Sequence, residues 1–167
     1  VQLGTAAFNA ASFGPNLVIN VTLAAGTYTL DPANNFNGVN VTVPANSTIT
    51  MTVDQFMAMG GLDGADASVT SRVVLTGLTQ AHIDAGFTLA GVTWLEGSTV
   101  VLAESVSLAD DTELSGFGVT MSGNQTLGLA NSTQADGLVV NGTAGNTVQF
   151  QFWQLDGSDT RIDASGY

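Results

Sequence analysis

An all-β chain folded as a parallel β-solenoid (β-helix) of about seven short rungs, with one or two short helical corners, is the architecture that this sequence predicts. Three observations carry the prediction. Apolar and polar residues alternate with period 2 from end to end, Gly, Asn and Asp turn signals separate the alternating runs, and a glycine stands directly before several of those runs. An antiparallel β-sandwich of jelly-roll or pilin-like type satisfies the first two observations and stays open as the alternative. The whole chain, residues 1–167, reads as one all-β domain or one segment of a solenoid.

The elements follow in order. In Leu17-Val18-Ile19-Asn20-Val21-Thr22-Leu23, the residues Leu17, Ile19, Val21 and Leu23 point one way and Asn20 and Thr22 the other. Val39, Val41 and Val43 repeat the pattern around Asn40 and Thr42, and Ile49, Met51 and Val53 repeat it again. Further along come Val100 with Leu102, Val106 with Leu108, Val119 with Met121, Leu127 with Leu129, Leu138 with Val140, and Val148-Phe150-Phe152. Ala25-Gly26, Asn37-Gly38, Asn141-Gly142 and Asp156-Gly157 are turn dipeptides between them.

Glycine leads the runs Gly38-Val39-Asn40-Val41, Gly91-Val92-Thr93-Trp94, Gly118-Val119-Thr120-Met121 and Gly137-Leu138-Val139-Val140. Their uneven spacing is near multiples of a rung of roughly 20 to 27 residues, a length that solenoids use. Two segments break the period-2 pattern. Thr52 to Met59 places Val53, Phe56 and Met57 at helical spacing, and Thr79 to Ala85, followed by Gly86, reads as a short helix with a Thr N-cap and a Gly stop. Both read as corners of the stack.

Composition excludes several functions. The chain carries no Lys, its cations are Arg72 and Arg161, and the net charge is −12. Binding to nucleic acid or to an anionic bilayer needs clustered cations, so neither is an expected partner. No apolar run reaches the length needed to span a bilayer, so membrane insertion is not expected either. With Val1 at the start and no basic segment leading into an apolar one, the expectation is a processed, exported chain and an extracellular or cell-surface location.

Catalytic machinery is sparse. His82 is the single histidine and Cys is absent, so no Cys-His dyad and no zinc site of His and Cys can be built from this chain, and no GxSxG elbow is present. The expectation is a non-enzyme without an assured cofactor. Calcium is the one metal that the acidic turns suggest, because it accepts carboxylate and carbonyl oxygens in loose geometry. Three groups are candidate ligands: Asp156, Asp159 and Asp163; Asp110, Asp111 and Glu113; and Asp63 with Asp66. Six of the twelve asparagines, Asn20, Asn40, Asn46, Asn124, Asn131 and Asn141, open N-x-S/T sequons and are candidate glycan acceptors. A Thr- and Asn-rich outer face produces such triplets without any sugar.

Ile49 to Phe56, the Gly60-Gly61-Leu62-Asp63-Gly64-Ala65-Asp66 turn, Val69 to Leu75, Leu78 to Asp84 and Phe87 to Trp94 together resemble the repeats of very large secreted bacterial β-solenoid surface proteins, of adhesin, S-layer-like and extracellular-matrix type. The resemblance spans about residues 49 to 130. It implies an alternating strand, a short TxxQ-type helical turn and a further strand per repeat. The GGxGxDxUx calcium nonapeptide of many such proteins is missing, and residues 60–66 echo it only in part.

The functional expectation is a structural subunit or segment of an extracellular surface assembly: a filament, an S-layer or an adhesin stalk. Self-association into a homo-oligomer or polymer is expected through the N-terminal strands, uncharged as far as Asp31, and through solenoid ends, where unpaired strands invite pairing. The alternative is a glycan-binding or glycan-degrading β-helix module of tailspike or lectin type, with surface glycans as partners. Trp94, Trp153 and Tyr28 would then be its stacking platforms.

Overall fold

The computed structural model describes residues 9–10, 19–66, 70–95, 97–114, 116–131, 134 and 138–151. They are mostly sheet, with parallel strands stacked as a β-solenoid of about six turns and two short helices. The strands are β1 Ile19–Thr22, β2 Thr27–Thr29, β3 Val39–Val43, β4 Ser47–Thr52, β5 Gly61–Gly64, β6 Ser71–Leu78, β7 Thr99–Leu102, β8 Val106–Ser107, β9 Gly118–Thr120, β10 Thr126–Gly128, β11 Val140–Asn141 and β12 Thr147–Gln149. The helices are α1 Val53–Ala58 and α2 Gln80–Asp84.

Two compact units divide the chain, one of residues 1–75 with 92–98 and one of residues 76–91 with 99–167. In the first, β1-β3-β5 form one sheet and β2-β4-β6 run side by side in another. Val21 pairs with Val41 and Val41 with Leu62, while Tyr28 pairs with Ile49. In the second, β8-β10-β12 and β7-β9-β11 repeat the scheme. Val106 pairs with Leu127 and Leu127 with Val148; Val100 pairs with Val119 and Val119 with Val140. These pairings are all parallel, with partners 19 to 21 residues apart, and the parallel Asn9–Asn35 bridge spans 26. That spacing excludes the antiparallel sandwich, whose strands would be joined by hairpins.

The period-2 pattern explains the core. Val39, Val41 and Val43 are buried while Asn40 and Thr42 between them are half-exposed. Ile49, Met51, Val100, Leu102, Val106, Leu108, Val119, Met121, Leu127, Leu138 and Val140 are likewise buried, as the alternation predicts. Leu17, Val18 and Phe152 lie outside the described residues. Because each strand stacks on its equivalent one turn away, like side chains form rows along the stack, and burying a Val or Leu stabilises by about 1.5–3 kcal/mol.

Both helices fall where their caps predict. Thr52 and Thr79 are the N-caps, and α2 stops at Ala85 before Gly86, which adopts φ +87°, a conformation that glycine takes without a Cβ penalty. The Gly-led echo is less faithful. Residues 90–94 form a turn and not a strand, because Gly91 (φ +81°) and Trp94 (φ +57°) occupy left-handed backbone that cannot continue an extended run. Gly38 and Gly118 do lead or open strands, but in β1-β3-β5 and β7-β9-β11 respectively, so their spacing mixes two faces of the stack. Gly137 lies outside the described residues.

Candidate functional site

Three kinds of place in the fold gather polar side chains: the corners, the acidic turns and the loop that carries Trp94. The corners repeat one device. At α1, the Thr52 N–H donates to Gln55 Oε1 (3.1 Å) and the Gln55 N–H to Thr52 Oγ1 (3.1 Å), a reciprocal capping box. The same Gln55 then reaches the preceding turn, where Nε2 donates to the Asp31 carbonyl (2.8 Å). Gln55 is buried, so an unbonded amide there would be costly.

In the second unit the device recurs without a full helix. Gln125 Oε1 accepts from the Ser122 N–H (2.8 Å) while Nε2 donates to the Leu102 carbonyl (3.2 Å). Gln134 Oε1 accepts from the Ala130 N–H (2.7 Å), and its Nε2 donates to the carbonyls of Ala109 (2.6 Å) and Thr112 (2.9 Å). Asn146 Oδ1 accepts from the Thr143 N–H and Nδ2 donates to the Gly123 carbonyl, both at 2.6 Å. Each amide closes its own corner with the oxygen and grips the turn before it with the nitrogen.

His82 occupies the equivalent position at α2. Its Nδ1 accepts from the Thr79 N–H (3.1 Å) and lies 2.8 Å from Thr79 Oγ1, so the imidazole serves as a cap. A second series uses hydroxyls in the first unit. Buried Ser47 accepts from the Gly26 N–H (2.9 Å), Ser71 donates to the Pro44 carbonyl (3.0 Å) and Ser98 accepts from the Val73 N–H (2.7 Å). The sequence motif TxxQ marks Gln55 directly. Its wider form, a Ser, Thr or Asn three residues before Gln, Asn or His, also finds Gln125, Gln134, Asn146 and His82, whereas nothing in the sequence singles out the serines.

The acidic turns are dispersed. Asp63 Oδ1 accepts from the Thr93 N–H (3.2 Å) and hydroxyl (2.8 Å), while Asp66 is exposed. Asp110 and Asp111 lie in a turn closed by the Thr112 N–H on the Ala109 carbonyl (3.1 Å), and both are exposed, as is Glu113. Among the described residues no three His, Asp or Glu side chains are grouped so as to hold a metal ion. Asp156, Asp159 and Asp163 lie outside the described residues.

The sequons divide by what their amides do. Asn40 Nδ2 donates to Asn20 Oδ1 (3.1 Å), a rung of an outward asparagine ladder. Asn131 donates to the Asp110 carbonyl (2.7 Å) and accepts from the Gln134 N–H (3.1 Å). Asn46, Asn124 and Asn141 are exposed, and Asn46 sits in a turn at φ +54°.

Comparison of the chain with protein-family models, with curated proteins and with solved structures gives no match. Tyr28 is half-buried with its hydroxyl donating to the Ala24 carbonyl (2.6 Å), and Trp153 lies outside the described residues. Trp94 is 50% exposed, the one large apolar side chain so displayed among the described residues. Its left-handed backbone costs a bulky residue about 1–2 kcal/mol. The surrounding contacts hold it there: Asp63 grips Thr93, the Gly64 N–H donates to the Thr93 carbonyl (2.9 Å), and a methyl group on Gly64 would overlap the Trp94 carbonyl.

Proposed function

We propose that this chain is a structural subunit or segment of an extracellular surface assembly, a filament, surface layer or adhesin stalk, whose role is mechanical. One observation carries the reading. Successive turns are joined by in-register parallel pairing and also by buried amide and hydroxyl bonds at the corners, so that separating two turns breaks both at once. Outward positions carry mainly Thr, Asn and Ser, and the single histidine is engaged in a helix cap. The absence of Lys, the 10% charged fraction and the resemblance to secreted solenoid repeats support a place outside the cell.

Assembly proceeds by strand addition. A stack of parallel turns offers at an open end the same pairing pattern that the next turn would meet, so a second chain can continue it. Sedimentation velocity over a wide concentration range tests this, with growth of large, regular species expected. A monomer at the highest concentration contradicts it. The outer face also accepts N-linked sugar at Asn46, Asn124 and Asn141, where the side chains are exposed, and not at Asn40 or Asn131, whose amides are bonded. Peptide mass mapping of native material should find glycopeptides at the first set, and unmodified peptides there contradict the assignment.

A further inference from the structure

We infer that Trp94 is a docking platform for a neutral glycan, a role that goes beyond the mechanical one and does not depend on it. The indole is half-exposed on a backbone conformation that bulky side chains avoid, and an outlier of this kind points to function when the surrounding fold holds it in place. Here the fold does so twice. Asp63 Oδ1 holds Thr93 through both its N–H and its hydroxyl, and Gly64 leaves room only for the Trp94 carbonyl. A backbone fixed in advance loses little freedom on binding.

The chemistry of the surroundings selects the ligand. No other large apolar side chain is exposed among the described residues, so among them the indole is not part of an apolar patch of the several hundred Å2 that protein partners use. A single aromatic face is also short of the cage of rings that captures a quaternary ammonium group. An isolated flat face suits a pyranose, whose C–H face lies on the indole while its hydroxyls turn to polar neighbours. Thr93, the residue before Trp94, bonds its hydroxyl to Asp63, and the Arg72 guanidinium lies beside Gly97, three residues further on. The net charge of −12 disfavours acidic polysaccharide, which leaves a neutral sugar.

Trp94 and Trp153 are the only tryptophans, so Trp153→Phe leaves Trp94 as the sole indole fluorophore. That variant is titrated with neutral glucose-, mannose-, galactose- and N-acetylglucosamine-based oligosaccharides. A saturable shift of Trp94 emission with at least one series is expected, and calorimetry should show binding weakened about tenfold or more in Trp94→Asn. Asn tolerates positive φ, so this variant keeps the loop while removing the ring. If no series moves the Trp94 emission, if Trp94→Asn binds as tightly as the parent, or if emission responds only to protein concentration, the inference is overturned.

Discussion

Gln134 shows how much one side chain does at a corner. Its amide oxygen caps residues 130–131, and its nitrogen serves two carbonyls of the preceding turn from a site only 5% exposed. Gln134→Ala should therefore cost about 1–3 kcal/mol, seen as a lower thermal midpoint, because a buried and a half-buried carbonyl lose their donor. Gln134→Glu removes the donor as well and adds a charge, so it should be no better. At the homologous corner, His82→Gln should keep or raise stability, since glutamine supplies the acceptor that Nδ1 provides to Thr79, whereas His82→Ala should lose about 1 kcal/mol. Gly64→Ala should destabilise and shift Trp94 fluorescence together, because the added methyl displaces the Trp94 carbonyl. A destabilised Gly64→Ala variant with unchanged Trp94 emission would show that the two are not linked.

At the scale of the element, alternation made the strands legible, since the rows Val39-Val41-Val43 and Ile49-Met51 could be assigned to the core from period 2 alone. The helical corners were equally readable, because Thr52 and Thr79 are caps whose chemistry is local in sequence. What stayed hidden depends on contacts one turn away. The bonds of Ser47, Ser71 and Ser98 to the previous turn require knowing which backbone groups lie beneath them, and residues 90–94 look like a strand until the anchoring by Asp63, some thirty residues earlier, is seen. The acidic turns follow the same logic. Asp110 and Asp111 are adjacent in sequence yet gather no third acidic partner, so Asp110→Asn and Asp111→Asn should respond to EDTA and added calcium in thermal melts as the parent does. A calcium-dependent melt lost in either variant would refute that. Leu127, fully buried between Val106 and Val148, should cost about 2–5 kcal/mol when cut to Ala.

For the molecule as a whole, the repeating unit is the turn and not the domain. Val119 pairs with Val140, so removing residues 120–140 joins Val119 to Asn141, the residue that pairs with Thr120, and should leave a shorter stack that still melts cooperatively. Removing only residues 120–129 breaks the spacing and should abolish the cooperative transition. The turns keep close to the rung of roughly 20 to 27 residues that the sequence predicts: strands pair at 19 to 21 residues in β1-β3-β5 and β7-β9-β11, and the Ser71 and Ser98 bonds reach 27 and 25 residues back. Parallel pairing from turn to turn makes continuation by a further chain geometrically natural. Electron cryomicroscopy of native material tests that most directly. Ordered filaments or lattices are expected, in which parallel rungs continue at about 4.8 Å from one chain into the next, and isolated monomers with no continuation of rungs between chains would contradict assembly by strand addition.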